Sequence, residues 1–298
     1  MMSPRTPPRT GLRIAAIRLL CPDPAATAAF YAAAFGAVIA PGGARLALGA
    51  QTIELAPSSD RRDAPAPSNG TGFQHCALIV PDMDAAYAHL RGVPGWTPIS
   101  RAGPERLPAA SGGVRAFKFR DPDGHPLEFL AFPPDAVPPV WRGRSGRAHR
   151  PERWVPACGD KPMRQTNLEK RPGSEIQDAP LVLGIDHTAI TVTDTERAVA
   201  FYAGLGFRVT QRGVNRGPEQ ARMDAVDDPV VEVTGLAPPG GAPPHLELLC
   251  YRAPGSIPSA CADDAPLATR IVLTGDGDAS GLLSDPDGHR LVLAADRP

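Results

Sequence analysis

Two stretches of the chain share the same succession of an apolar strand and a helix with one apolar face. The first, RIAAIRLLCPDPAATAAFYAAAFGAV, covers residues 13–38, and the second, GIDHTAITVTDTERAVAFYAGLGFR, covers residues 184–208. In both, an aspartate stands seven residues before a shared FYA sequence, where the N-cap of a helix is expected. The pattern predicts a strand and then a helix, twice, with Phe30 and Phe201 on the buried face of the helix.

The hydrophobic pattern repeats further along the chain. A third strand and helix are predicted at GFQHCALIVPDMDAAYAHL, residues 72–90. DPDGH occurs at residues 121–125 and 285–289, each time before an apolar strand, and Asp-Gly there predicts a tight turn. Shorter apolar strands at 51–57 and 245–251 close the first and third copies.

The repeats divide the chain into four modules. Their limits are 12–57, 72–133, 182–253 and 266–295, and the fourth is too short for a helix and a second strand. Because one such module cannot bury its apolar face alone, modules are expected to pair. We predict an α+β fold of two tandem domains made of paired modules.

The segments between the modules lack strand or helix periodicity. Residues 134–180 are rich in proline and arginine and predict a linker, although Trp141 and Trp154 are expected to pack back onto a domain because large aromatics are rarely fully hydrated. The predicted organisation is a disordered tail at 1–11, an N-terminal domain at 12–133, the linker, and a C-terminal domain at 181–298.

Composition narrows the choice of partners and compartment. The 31 basic and 32 acidic residues give a net charge of -1, which favours a small-molecule ligand over nucleic acid or a membrane. Among the five cysteines, Cys21, Cys76 and Cys250 lie in apolar strand-like runs, which favours a reducing compartment. No apolar run is long enough for a membrane span. We expect a cytoplasmic monomer or homodimer.

Candidate chemistry falls at two positions that recur in every module. The position seven residues before the repeated aspartate holds, in module order, Ala16, His75, His187 and Thr269. The matching position in the closing strand holds Glu54, Glu128, Glu247 and Val292. A glutamate within an apolar strand is costly to bury without a partner, so Glu128 and Glu247 require one. A lone histidine on such a strand is often structural, but two in the same repeat position favour a metal.

H-x6-D before a helix and DPDG-H-x-[LV]-E near the end of a module resemble the vicinal oxygen chelate superfamily of glyoxalases, extradiol dioxygenases and bleomycin-resistance proteins. The likeness spans nearly all of the chain outside the tail and the linker. It implies βαβββ modules whose curved mixed sheets form a cup when the modules pair. It also implies a metal ligand on the first strand of a module and another on its last strand, with the cup around the ion.

Two pairings of the modules are open. Pairing within each half brings Glu54, His75 and Glu128 together and leaves only His187 and Glu247 in the other half. The exchanged pairing implied by glyoxalase I-like members joins modules two and three, and it fills all four positions with His75, Glu128, His187 and Glu247. Modules one and four then form a cup that is expected to hold no metal. We adopt the exchanged pairing.

The resemblance implies one divalent ion at His75, Glu128, His187 and Glu247, and these donors suit Zn²⁺, Ni²⁺, Co²⁺, Fe²⁺ or Mn²⁺. The implied function is a metal-dependent glyoxalase-like lyase or isomerase acting on a small α-hydroxycarbonyl compound or hemithioacetal through an enediolate, with Glu128 or Glu247 as general base. One alternative is an extradiol dioxygenase, although neither half alone offers two histidines and a glutamate. The other alternative is a metal-free sequestering protein of the bleomycin-resistance kind.

Other polar residues carry weaker expectations. His125 and His289 follow DPDG and are expected at the surface of a hairpin rather than as ligands. Lys118, Arg120 and Arg222 are predicted on strands near the cup, where they either bind an anionic substrate or project into solvent. Sequence signatures of a phosphate-binding loop, a nucleophile elbow, a dinucleotide site or paired CxxC motifs are not found in the chain.

Overall fold

The fold was analysed in a computed structural model whose described residues are 12–59, 65–143, 180–259, 261–275 and 280–295. These residues form two mixed β-sheets and four α-helices. The predicted tail at 1–11, Trp154 and most of the predicted linker lie outside the described residues. Among the described residues, no helix is both long enough and apolar enough to cross a bilayer.

The described residues of the first half of the chain form nine strands and two α-helices. Their bounds are β1 Arg13–Cys21, α1 Pro24–Phe35, β2 Val38–Ile39, β3 Arg45–Leu48, β4 Gln51–Pro57, β5 Gln74–Ile79, α2 Met83–Arg91, β6 Thr97–Pro98, β7 Glu105–Arg106, β8 Arg115–Arg120 and β9 Pro126–Ala131. A short 3-10 helix at Ala109–Ser111 lies between β7 and β8, and another at Pro139–Trp141 follows β9.

The second half contains seven strands and two helices among its described residues. Their bounds are β10 Gly184–Thr191, α3 Thr195–Gly204, β11 Arg208–Arg216, α4 Pro218–Asp224, β12 Val230–Ala237, β13 His245–Ala253, β14 Arg270–Gly275, β15 Gly281–Ser284 and β16 Arg290–Ala295. The described part of the fourth module has three strands and no helix, as its length predicts.

Local sequence signals explain where the repeated helices begin and end. The Asp23 carboxylate accepts hydrogen bonds from the backbone N–H groups of Ala25 and Ala26, both at 3.0 Å, and so caps α1. Asp194 caps α3 in the same way through Arg197 N at 3.0 Å. Helix α1 stops at Gly36, whose φ of 69° is a left-handed conformation that glycine adopts without a steric penalty.

The strand order shows which modules share a sheet. One sheet has the order β15-β16-β14-β1-β4-β3-β2, so it joins modules one and four. The other has the order β11-β12-β13-β10-β5-β9-β8-β6, with β7 beside β8, and joins modules two and three. The exchanged pairing is therefore confirmed. Both sheets contain strands from both halves of the chain. The limits 12–133 and 181–298 therefore describe the order of the modules along the chain, and as domain limits they stay a prediction.

Helices of one module contact the strands and turns of the next module in the same half of the chain. That next module belongs to the other sheet. On α1, Phe35 packs against Phe119 and Phe129, with ring centroids 6.1 and 5.9 Å away. The Tyr31 hydroxyl donates to Asp121 Oδ2 at 3.2 Å, and Tyr202 donates to Asp285 Oδ2 at the same distance. The FYA sequences and the DPDGH turns thus form two equivalent interlocks between the sheets.

The expectation that His125 and His289 lie at the surface is wrong. Both are buried, with His125 only 1% exposed, because the turn that carries each histidine is covered. His125 Nδ1 lies 2.8 Å from Asp121 Oδ2, and Nε2 lies 3.0 Å from the carbonyl oxygen of Leu20. Their role is structural within the interlocks.

Candidate metal centre

The four predicted ligands lie on four adjacent strands of the nine-stranded sheet. Glu247 is on β13, His187 on β10, His75 on β5 and Glu128 on β9, which is the spatial order of these strands. Across the sheet, Ala189 pairs with both His75 and Glu247, while Ala77 pairs with both His187 and Glu128. The register therefore places the two glutamates symmetrically outside the two histidines.

Three of the four side chains converge on a common point, and the fourth, Glu247, contacts one of them, His187. His75 Nε2 lies 2.8 Å from Glu128 Oε2, and His187 Nε2 lies 3.5 Å from Glu247 Oε2. The two imidazole ring centroids are 5.6 Å apart. One donor atom from each of His75, Glu128 and His187 lies within 4.8 Å of the others. Strands from opposite halves of the chain thus bring together two imidazoles and two carboxylates.

His75 provides the test of whether an ion fits this site. The side chain is only 2% exposed, and neither ring nitrogen makes a hydrogen bond within the described residues. The 2.8 Å approach of Nε2 to Glu128 is a close contact, but its angles do not satisfy a hydrogen bond. A buried nitrogen without a partner is costly, and a metal ion would bind its lone pair. The donor set therefore fits a divalent ion.

His187 is oriented by a carboxylate that the sequence pattern did not reveal. A register shift in β10 between Ile185 and His187 disturbs the strict alternation of side chains. Asp186 Oδ2 lies 3.1 Å from His187 Nδ1, and its other oxygen accepts a hydrogen bond from Trp141 Nε1 at 2.7 Å. A carboxylate on Nδ1 fixes the ring and leaves Nε2 available for an ion.

The electrostatics of the site couple His187 to Glu247. Burial lowers the pKa of His187, but the carboxylates of Glu247, Asp186 and Glu128 outweigh it and raise the pKa to about 9. Burial raises the pKa of Glu247, but His187 and His245 outweigh it and lower the pKa to about 2. In the ion-free protein His187 is therefore protonated near neutral pH, and it must release this proton before Nε2 can bind a divalent ion.

His245 adds a second layer around this centre. It lies two residues before Glu247 on β13, and its Nε2 is 3.6 Å from Glu247 Oε1. Asp186, His187 and His245 also form a compact group. Because the Asp186 carboxylate already contacts Trp141 and His187, this group supports the four-residue centre rather than forming an independent one. The period of two along β13 is the sequence signal that identifies His245.

The centre lies in a cleft with a volume of about 800 Å³. Its lining includes all four predicted ligands together with Lys118 and Gln220. The volume is within the range of small-molecule sites in proteins.

The model of the glyoxalase/bleomycin resistance protein/dioxygenase superfamily matches residues 13–129 and 184–293. The chain belongs to this superfamily. No curated protein sequence matches it. Glyoxalase I from Zea mays has a similar structure, with a TM-score of 0.53 and 16% sequence identity, over 96% of this chain and 92% of that chain. A putative dioxygenase from Bacillus subtilis subsp. subtilis str. 168 gives a TM-score of 0.51 and 13% identity, over 98% and 86% respectively. At these identities the likeness shows the fold.

Of the three basic residues predicted on strands near the cup, Lys118 and Arg120 lie on a strand and Arg222 does not. Lys118 lies on β8 and lines the cleft. Arg120, on the same strand, donates to the carbonyl oxygens of Ala66 and Gly124. Placing Arg222 on a strand is wrong: it lies on helix α4 and pairs with Glu105 at 2.7 Å.

The cup of the seven-stranded sheet has different side chains at the positions that are equivalent to the four candidate ligands. In the seven-stranded sheet, Arg18 on β1 pairs with Arg270 on β14. The equivalent pair in the nine-stranded sheet is Ala189 on β10 and His75 on β5. Arg270 is therefore the counterpart of His75. The assignment of Thr269 to this position is wrong by one residue, because Asp276, from which it was counted, does not keep the same spacing.

Glu54 is the glutamate of this second cup. Its carboxylate is held by Arg18 at 2.8 Å and by Arg45 at 2.9 Å. Ala16 and Val292 occupy the remaining two positions, and neither side chain offers a donor atom.

Proposed function

We propose that the protein is a metal-dependent, glyoxalase-like lyase or isomerase acting on a small α-hydroxycarbonyl compound or hemithioacetal. The observation that carries the proposal is the buried, unpartnered imidazole of His75 beside Glu128 and His187. Zn²⁺, Ni²⁺, Co²⁺, Fe²⁺ or Mn²⁺ would be held by His75, Glu128, His187 and Glu247. Such an ion supplies Lewis acidity toward two adjacent substrate oxygens.

The two glutamates are suited to different roles. Glu128 is buried against His75, and its strand neighbour across β8 is Lys118. The side chain of Glu247 is 14% exposed and faces the cleft near His245. A general base must reach the substrate carbon from which it removes a proton. We assign this proton transfer to Glu247 and a holding role to Glu128.

The environment of the thiols supports a cytoplasmic location as part of the proposal. Cys21, Cys76 and Cys250 are buried free thiols. Burial raises the pKa of Cys21 and of Cys76 to about 12, which keeps both as unreactive thiols. Such residues are stable in a reducing compartment.

Metal analysis tests the proposal directly. We expect the purified full-length protein to contain one divalent ion per chain by mass spectrometry, and His187→Ala to lose it. His89→Ala is the matched control, because His89 is an exposed histidine on α2 whose ring contacts only the carbonyl oxygen of Ala33 in the described structure. Wild-type protein with no ion, even after incubation with each metal, would reject the enzyme and favour a sequestering binding protein.

The compact group of His75, Glu128 and His187 also favours a second candidate, an extradiol dioxygenase. Two imidazoles and one carboxylate are the ligand set of non-haem Fe(II) oxygenases. The pairing of modules two and three supplies this ligand set from both halves of the chain, although neither half supplies it alone. Oxygen uptake by the Fe(II)-loaded protein with a series of catechols separates the candidates, because only the dioxygenase consumes O₂.

A further inference from the structure

A buried lysine stands next to the proposed metal centre. Lys118 is directly opposite Glu128 in the register of β8 and β9, so the two side chains lie on the same face of the sheet. The lysine side chain is only 3% exposed, yet it lines the cleft together with His75 and Glu128. An ammonium group is rarely buried without a partner. The identity of that partner therefore shows how the lysine is used.

The partner is Asp224, at the end of helix α4. Lys118 Nζ donates to Asp224 Oδ1 at 2.7 Å. The other carboxylate oxygen accepts hydrogen bonds from Gln220 Nε2 at 2.7 Å and from the Tyr251 hydroxyl at 2.8 Å. Asp224 is therefore held on both sides. The ammonium has three donors, and this contact uses one of them.

Gln220 has an unused acceptor at the same place. Its side chain is 3% exposed and lines the cleft, and its Oε1 makes no hydrogen bond within the described residues. The contact of Nε2 with Asp224 fixes which end of the amide carries the oxygen. A buried amide oxygen without a partner is destabilising. A purely structural ion pair explains Lys118 and Asp224, but it does not explain this oxygen.

Helix α4 is fixed in its position by residues from the first half of the chain. Ser68 Oγ donates to the carbonyl oxygen of Asp224 at 2.7 Å, and Ser100 Oγ donates to that of Met223 at 3.0 Å. Beyond the helix, Ala225 and Asp228 adopt φ values of 56° and 45°, which are unfavourable for residues other than glycine. Such strain is often found where a segment is held for function. The helix thus presents Gln220 and Asp224 to the cleft in a defined geometry.

The charges limit the class of ligand. Asp224 neutralises the ammonium of Lys118, so the pair adds no net positive charge to attract a polyanion such as a phosphate ester. A fixed donor that belongs to a neutral ion pair is instead suited to an oxygen on which negative charge develops during reaction. The acceptor of Gln220 requires a donor on the ligand, and a hydroxyl group next to a carbonyl supplies both.

We propose that Lys118 and Gln220 are the substrate-orienting residues of the cleft. Lys118 donates to the reacting oxygen of an α-hydroxycarbonyl substrate, and Gln220 Oε1 accepts a hydrogen bond from its hydroxyl group. The proposal rests on the function proposed above and deepens it. Asp224 acts through Lys118 and is a positioning residue.

The test measures ligand binding to the full-length Co²⁺-loaded protein by visible absorption. Lactate serves as the probe with a hydroxyl beside a negative oxygen, propionate lacks the hydroxyl, and inorganic phosphate is the polyanion. We expect Lys118→Met with Asp224→Asn to weaken lactate binding by at least about tenfold, the loss of a charged hydrogen bond. The double change avoids an unpaired buried carboxylate, and thermal unfolding confirms that the variant is folded.

Gln220→Met, which keeps the length of the side chain, should lower the preference for lactate over propionate by about fivefold or more. Arg115→Met is the control for removing a cation from β8, since Arg115 pairs with Asp84, and it should leave lactate binding within about twofold. Cobalt content is measured for every variant.

Two results would overturn the proposal. One is wild-type protein that holds cobalt but binds lactate no more tightly than the Lys118→Met/Asp224→Asn protein. The other is phosphate binding that depends on Lys118 more strongly than lactate binding does. Failure of the proposed function has a separate signature, because the wild-type protein would then hold no stoichiometric cobalt.

Discussion

The nine-stranded and seven-stranded sheets place a glutamate at the same register position but surround it differently. Glu247 pairs across the sheet with Ala189, and its carboxylate lies beside the imidazole of His187. Glu54 pairs with Arg18, and the guanidinium of that arginine holds its carboxylate. The same backbone position thus gives a candidate metal ligand in one sheet and an ion pair in the other. The neighbouring side chain determines which role the glutamate takes.

The seven-stranded sheet carries a line of charged residues in the row where the other sheet carries Glu247 and His75. Consecutive partners across five adjacent strands are Arg45, Glu54, Arg18, Arg270 and Arg290. A guanidinium has donors only and no lone pair for a metal. Arg290 is paired with Asp263 at 2.5 Å, and Arg270 donates to the carbonyl oxygen of the same aspartate at 2.6 Å. The arginines of this line are held by carboxylate and backbone oxygens and offer no ligand to a metal.

The largest difference between the sheets is expected when Glu247 or Glu54 is replaced by glutamine. Glu247→Gln removes a charged donor from the proposed centre and should weaken Co²⁺ binding on the order of hundredfold. Glu54→Gln makes the same chemical change in the other sheet and should leave the affinity within about threefold. Competition with a chromophoric chelator measures both.

Equal losses of affinity in the two glutamine variants would contradict the assignment of the metal to the nine-stranded sheet. Thermal unfolding of both variants provides the control for misfolding.

The two interlocks between the sheets offer a sharper comparison. Asp121 Oδ2 contacts both Tyr31 and His125, whereas the matching oxygen of Asp285 contacts Tyr202. We expect Asp121→Asn to reduce the free energy of unfolding by about 2 kcal/mol and Asp285→Asn by about 1 kcal/mol, because the first also loses a charged contact. Urea unfolding measures both, and a larger loss for Asp285→Asn would contradict the comparison.

The smallest expected effect is a pH dependence of the first interlock. Burial lowers the pKa of His125, but Asp121 and Asp123 outweigh it, and the net direction is upward from 6.5. A histidine with a raised pKa stabilises the folded state fully below its unfolded pKa, and this contribution is lost as the pH rises through the folded value. Urea unfolding across the alkaline side of pH 6.5 should therefore show a smaller decline in His125→Gln than in the wild type. An unchanged decline would mean that His125 does not hold its proton in the fold.

The positions of the four candidate ligands were predictable because the module length is nearly constant and strand side chains alternate with a period of two. Counting from the repeated aspartate and from DPDG therefore identified all four residues. The structure groups His75, Glu128 and His187 and places Glu247 beside His187. The same counting failed for Arg270, because the spacing after its strand differs in the fourth module.

Other features depend on tertiary structure that local patterns do not contain. The register shift that brings Asp186 beside His187 follows from pairing with a strand more than a hundred residues away in sequence. The burial of His125 follows from the helix and loops that cover its turn, whereas local turn chemistry predicts exposure. Helix α4 is short. The proline in its first turn is the sequence feature that indicates a helix there.

The sharing of both sheets between the two halves has a consequence for fragments of the chain. Strand β1 is completed by β14 from the other half, and β5 is completed by β10. A polypeptide ending near residue 143 would leave β1 and β5 with open hydrogen-bonding edges, which readily recruit other strands. Two copies of such a fragment would each offer the edge that the other lacks, so self-association rather than an isolated folded half is the expected result of cleavage between the halves.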